Sequence, residues 1–156
     1  MPLLKTILFT LLVPGSVTVL IPYWLLGRRW PKPVGIYSYL GIIPLLLGAI
    51  FYLWCAWDFA AAGKGTPAPI DPPKDLVVRG LFRYVRNPMY VGIISIVLGE
   101  ALLFDSGVLL EYAGICFLLM TFFVLLYEEP ALTKKFGESY EQYCSNVPRF
   151  IPRIPR

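Results

Sequence analysis

The sequence predicts an all-α integral membrane protein with about four transmembrane helices, a helical hairpin near the C-terminus and a cytoplasmic amphipathic tail helix. Three observations carry that prediction. The 156 residues are 57% hydrophobic and only 15% charged, too apolar for an ordinary soluble domain. The apolar residues gather in runs close to the roughly 20 that a helix needs to cross hydrocarbon. Lys and Arg flank those runs and stay out of them. A chain of this length reads as a single membrane domain over 1–156, with two N-terminal spans in 1–57 and a functional part in 58–156.

The first span is Ile7–Leu26, with Pro14 and Pro22 as kinks. No small-residue cleavage site follows it, so it reads as a retained helix and not a signal peptide. The second is Val34–Trp57, with Tyr37, Tyr39, Trp54 and Trp57 toward its ends, where interfacial aromatics belong. The connection that follows opens with the irregular "GKGTPAPIDPP" and continues with "KDLVVRGLFRYV", whose Val77, Val78, Leu81, Phe82 and Val85 need burial. Asn87-Pro88 marks a helix start, with Asn87 as cap and Pro88 in the first turn. Met89–Phe104 is a short third span, Phe104–Gly107 a tight turn and Val108–Tyr127 the fourth span, so the last two form an antiparallel hairpin. Pro130–Cys144 reads as an amphipathic helix whose stripe of Leu132, Phe136, Tyr140 and Tyr143 lies against the membrane or covers the loop. Pro148, Pro152 and Pro155 keep "VPRFIPRIPR" out of any helix.

Basic residues set the orientation. Lys5, the 58–88 loop (Lys64, Lys74, Arg79, Arg83, Arg86) and the tail (Lys134, Lys135, Arg149, Arg153, Arg156) share one side. Only Arg28, Arg29 and Lys32 lie opposite. The positive-inside rule then puts both termini and the long loop in the cytoplasm. The net charge of +4 fits that leaflet bias, and no nucleic-acid partner is expected.

The chain has no histidine, which excludes Ser-His-Asp and Cys-His catalysis and any imidazole metal ligand. Cys55, Cys116 and Cys144 lack metal-ligand spacing. Chemistry must come from carboxylates, Tyr, Lys, Arg and backbone, or from a cofactor. Glu128 and Glu129 either are the first solvated residues after a span or bind a ligand ammonium group. Glu100 and Glu111 lie within about two turns of Asp105 and are read as reaching water there. Arg83, Tyr84, Arg86, Asn87, Pro88 and Tyr90 are either interfacial anchors or the lip of a polar-ligand site, where a helix N-terminus offers free N–H groups.

Taken together, "GLFRYVRNPMYVG", an apolar hairpin and "YEEPALTKKFGESYEQYCSNVPRFIP" resemble the isoprenylcysteine carboxyl methyltransferase family, within the wider group of membrane methyltransferases that includes phospholipid methyltransferases. The resemblance runs from about Gly63 to Pro152. It implies S-adenosylmethionine as cofactor and an amphiphilic or lipid acceptor, carboxylate or amine, reached from the bilayer. The family's Arg-His-Pro-x-Tyr motif corresponds to Arg86-Asn87-Pro88-Met89-Tyr90 and its upstream cofactor segment to Lys74-Asp75-Leu76-Val77. Its aromatic after glycine corresponds to Phe82, and its carboxylate pair to Glu128 and Glu129. Arg83 and Arg86 are expected to hold the loop to the tail or to lipid phosphates. Two positions depart from the pattern. Asn87 stands in place of histidine, and Val124 stands where prenylcysteine-methylating members carry arginine. A methyl group on a sulfonium is already activated, so alignment and a dry site suffice without histidine. A chain that kept this fold as a non-enzymatic lipid-binding or scaffold protein is the alternative.

Overall fold

The structure, a computed structural model, describes residues 2–61 and 75–154, and every element among them is helical. α1 (Pro2–Leu12) continues through a π-helical turn at Ser16–Leu20 into α2 (Ile21–Leu25). The prolines explain that turn. The Ile21 N–H bonds Ser16 O, five residues back, so Pro22 would next have bonded Val17 O but has no N–H to give. The orphaned Val17 carbonyl accepts from Tyr112 Oη on a later helix at 2.9 Å. Upstream, Thr18 Oγ1 donates to Pro14 O at 2.8 Å. Gly27 (φ +75°) and Arg28 (φ +61°) end α2, and the Arg28 guanidinium sits 4.7 Å over the Trp24 ring.

A 3₁₀ segment, Ile36–Gly41, leads into α3 (Ile42–Ala61). α4 (Pro88–Leu103) and α5 (Gly107–Phe123) form the expected hairpin, with Ser106 Oγ accepting from Leu109 N at the start of α5. α4 has its closest partner, however, in α3. A Cβ at Gly48 would lie 2.4 Å from Gly92 O, and one at Gly41 would lie 2.4 Å from Gly99 O. The two glycine pairs are seven residues apart on each helix and run antiparallel, so the backbones touch along the seam.

Three helices are long and apolar enough to cross a membrane: Thr6–Leu25, Ile36–Asp58 and Gly107–Phe136. Their outward faces carry exposed Leu46, Leu47, Ile50, Leu118 and Leu126, a surface made for lipid. α4 is shorter, at 16 residues, and is the central helix, burying Gly92, Ile93, Val97, Gly99 and Ala101.

Two expectations need correction. The tail does not begin a new helix at Pro130. α5 runs through a second π-helical turn, Val124–Glu128, into α6 (Glu129–Phe136), and Gly137 (φ +55°) then breaks the rod before α7 (Glu138–Asn146). The arrangement repeats the first span, because the Glu129 N–H bonds Val124 O and the proline follows one residue later. Glu100, expected to reach water, is 7% exposed, and its Oε2 has no hydrogen-bond partner among the described residues.

The tail stripe covers the loop. Tyr140, Tyr143 and Val147 pack with Leu76, Leu132 and Phe136, and Tyr143 Oη donates to Phe82 O at 2.7 Å. Burial pushes the Tyr143 pKa up, so its phenol stays a donor at physiological pH. Residues 148–153 then lie along 84–87: Arg86 N bonds Pro148 O at 2.9 Å, Asn87 N bonds Arg149 O at 3.2 Å, and Arg153 N bonds Tyr84 O at 3.0 Å. At the other end of the loop Arg79 pairs with Asp58 at 2.9 Å. Gly80 (φ +55°) passes so close that a Cβ there would meet Asp58 Oδ2 at 2.4 Å.

Candidate functional site

A cavity of about 640 Å³ opens where α1, α3, α4 and α5 meet the 82–90 segment. That size suits a drug-sized ligand. Its walls are apolar and aromatic: Phe9, Val13, Pro14 and Val17 from the first span, Tyr52 from α3, Ile93 from α4, and Leu119, Met120 and Phe123 from α5. Thr10 Oγ1 on the first span and Tyr52 Oη on α3 hydrogen-bond at 2.9 Å, tying the two walls together.

The polar end is built by neighbouring residues with opposite fates. Glu128 lines the cavity and accepts from Tyr90 Oη at 2.9 Å. Glu129, the next residue and so about 100° further round the rod, points to the tail. It pairs with Arg149 Nε at 2.7 Å and Arg86 Nη1 at 3.0 Å, and Arg149 Nη2 adds a second bond at 2.9 Å. Those bonds raise the Arg149 pKa. Arg86 also reaches Cys144 Sγ at 2.8 Å, so it holds the 82–90 segment to the tail, as one of the two expected roles required. Its Nε–H is buried without a partner among the described residues, at the edge of the cavity it lines.

Asn87 is 8% exposed and lines the cavity, but its side chain does not cap α4. Nδ2 donates to Arg149 O at 3.1 Å, because the tail carbonyl lies where a cap would compete with it. The Asn87 carbonyl accepts the first helical bond of α4 from Val91 N at 3.2 Å, and no side chain caps the first-turn N–H groups.

Of the residues singled out in the sequence, Phe82, Asn87, Pro88, Met89, Tyr90 and Glu128 come together on this cavity. Leu76 packs instead under Tyr140 and Tyr143, and Val77 packs against Cys55 and Phe82. Asp75 is exposed and does not line the cavity, Glu129 serves the tail, and Lys74 lies outside the described residues. Val124 is 1% exposed within the second π turn and also stays off the cavity. The sequence reading missed the first-span wall and Arg149. Pro14 and Pro22 inside the first apolar run, and arginines interleaved with the tail prolines, were the available signals.

This architecture defines a multispan membrane protein whose central cavity is apolar except for one end, which carries a carboxylate and N–H donors. The phospholipid methyltransferase profile matches residues 36–139. The chain belongs to that family. It is 40% identical over 82 residues to the protein-S-isoprenylcysteine O-methyltransferase of Schizosaccharomyces pombe, covering 51% of this chain and 34% of that protein. It is 26% identical over 114 residues to the nickel-cobalt-cadmium resistance protein NccN of Alcaligenes xylosoxydans xylosoxydans, covering 73% of this chain and 49% of that protein. The chain thus spans between a third and a half of these relatives' lengths. No solved structure matches.

Proposed function

We propose that this protein is a membrane methyltransferase that uses S-adenosylmethionine and acts on an amphiphile drawn from the bilayer, with the cavity facing the cytoplasm. The observation that carries this reading is Glu128, a carboxylate held by Tyr90 at the end of an apolar cavity and free of the arginine clamp that occupies Glu129.

The donor set fits the cofactor's zwitterionic end. Glu128 would take its ammonium group. The unpartnered Nε–H of Arg86 and the first N–H groups of α4, which no helical carbonyl can accept, would take its carboxylate. Tyr52, Phe82 and Tyr90 offer ring faces near a cationic centre. When bound, the cofactor supplies a methyl group activated by its sulfonium. The chain's own task is then to align and to exclude water, and the apolar walls from α1 and α5 do both. The charge pattern favours an amine-bearing acceptor over a carboxylate: Arg86 Nη1 is committed to Glu129, and Val124 offers no cation.

The test is a thermal-shift titration of the detergent-purified protein with S-adenosylmethionine and S-adenosylhomocysteine, followed by labelled methyl transfer into lipid extracts. A ligand at about 100 times its Kd should add roughly 2.7 kcal/mol of native-state stability. A saturable shift that Glu128→Gln moves to about 10- to 100-fold higher ligand concentration supports the reading. A folded protein that shifts with neither ligand overturns it in favour of a non-enzymatic lipid-binding role.

A further inference from the structure

A second recess, on the seam of α1 and α3, carries a polar group that no described residue satisfies. It encloses about 320 Å³ and is lined by Thr6, Thr10, Leu11, Leu53 and Trp57, with Ile7 and Ala56 completing it. Leu11, Leu53 and Trp57 are 67%, 60% and 66% exposed, so its rim faces lipid. Thr6 at its wall is only 4% exposed, and Thr6 Oγ1 has no hydrogen-bond partner among the described residues.

The other threonines of the spans show how unusual that is. Thr18, Thr121 and Thr133 each donate to the carbonyl four residues back, at 2.7–2.8 Å. Thr10 is paired with Tyr52 Oη at 2.9 Å. A buried hydroxyl left unpaired is costly. What would relieve it is an acceptor carried by something that fills the recess. Trp57 marks the depth, because tryptophan at a span end sits at the membrane interface, where the ester carbonyls of phospholipids lie.

We propose that the α1–α3 recess binds one diacyl glycerophospholipid, with an ester carbonyl accepting from Thr6 Oγ1 and an acyl chain running past Leu11 and Leu53. The site is separate from the cavity and does not rest on the methyl-transfer reading. It adjoins the cavity through Thr10, whose partner Tyr52 is cavity wall, so the bound lipid braces that wall from behind.

The experiment is native mass spectrometry of the delipidated full chain. It is offered equal amounts of a diester phosphatidylcholine and its diether analogue with the same chains, a headgroup with no amine left to methylate. The expected result is one retained lipid with the diester preferred about fivefold, the ratio equivalent to one net hydrogen bond of about 1 kcal/mol. Thr6→Val should erase the preference, and Leu53→Trp, which fills the recess from its exposed rim, should remove the retained lipid. Equal retention of diester and diether by the unaltered protein overturns the proposal, with no variant needing to fold. A diester preference that survives both substitutions also overturns it, since the lipid then sits elsewhere.

Discussion

The α3–α4 seam and the α1–α5 flank of the cavity are made from the same kinds of apolar residue, yet one is closed and the other open. Along the seam, glycines let backbone meet backbone, and no side chain stands between the helices at Gly41–Gly99 or Gly48–Gly92. Along the flank, Val13, Leu119, Met120 and Phe123 line open space, and the π turn beside Pro22 leaves the Val17 carbonyl to Tyr112 Oη. In a membrane, apolar contact between helices gains little over contact with lipid, so backbone approach decides which seam is tight. The difference separates a fixed frame from a region that can afford a ligand.

Five substitutions would break or sharpen that contrast. Gly48→Leu puts a side chain where Gly92 O already sits, and should cost about 3 kcal/mol or more, read as a loss of monodisperse folded protein in detergent. Glu129→Ala removes the partner of a buried Arg86 and should cost about 2 kcal/mol, less than for a fully buried pair because Arg149 is partly solvated; thermal unfolding reads it. Tyr143→Phe loses the bond to Phe82 O and should cost about 1 kcal/mol by the same assay. Glu128→Gln should leave stability within about 1 kcal/mol while weakening cofactor binding about 10- to 100-fold, as expected for loss of a charge-assisted bond. Val13→Trp, from a half-exposed cavity position, should change stability by no more than about 0.5 kcal/mol yet abolish methyl transfer by filling the space. If Gly48→Leu and Val13→Trp proved equally tolerated, the distinction between frame and flank would fail.

The spans, the hairpin and the burial of Tyr140 and Tyr143 were legible because hydrophobic length and helical spacing are local signals. So was the gathering of Phe82, Asn87, Pro88, Met89, Tyr90 and Glu128, through a motif that keeps those residues close in sequence or at span ends. The partners of these residues were not legible. Asn87 looked like a cap because Asn-Pro starts helices, but a carbonyl from residue 149 took its amide, and no local rule sees a contact sixty residues away. Glu128 and Glu129 were both named as cofactor residues, with the first expected to make the contact, and the rod's twist sends that one to the cavity and the other to Arg149. The seven-residue spacing of Gly41 and Gly48, and of Gly92 and Gly99, was present in the sequence and would have identified the tight seam.

The segment 148–153 that lies along residues 84–87 has a consequence for how the protein is made. Every span precedes it in the chain, so all of them can be inserted in the bilayer before it leaves the ribosome. Arg86, Asn87 and Glu129 then wait in the membrane without their Pro148 and Arg149 partners. The tail's clamp on Arg86, Asn87 and Glu129 therefore closes as a step of its own, after the hairpin that carries Tyr90 and Glu128 is in place.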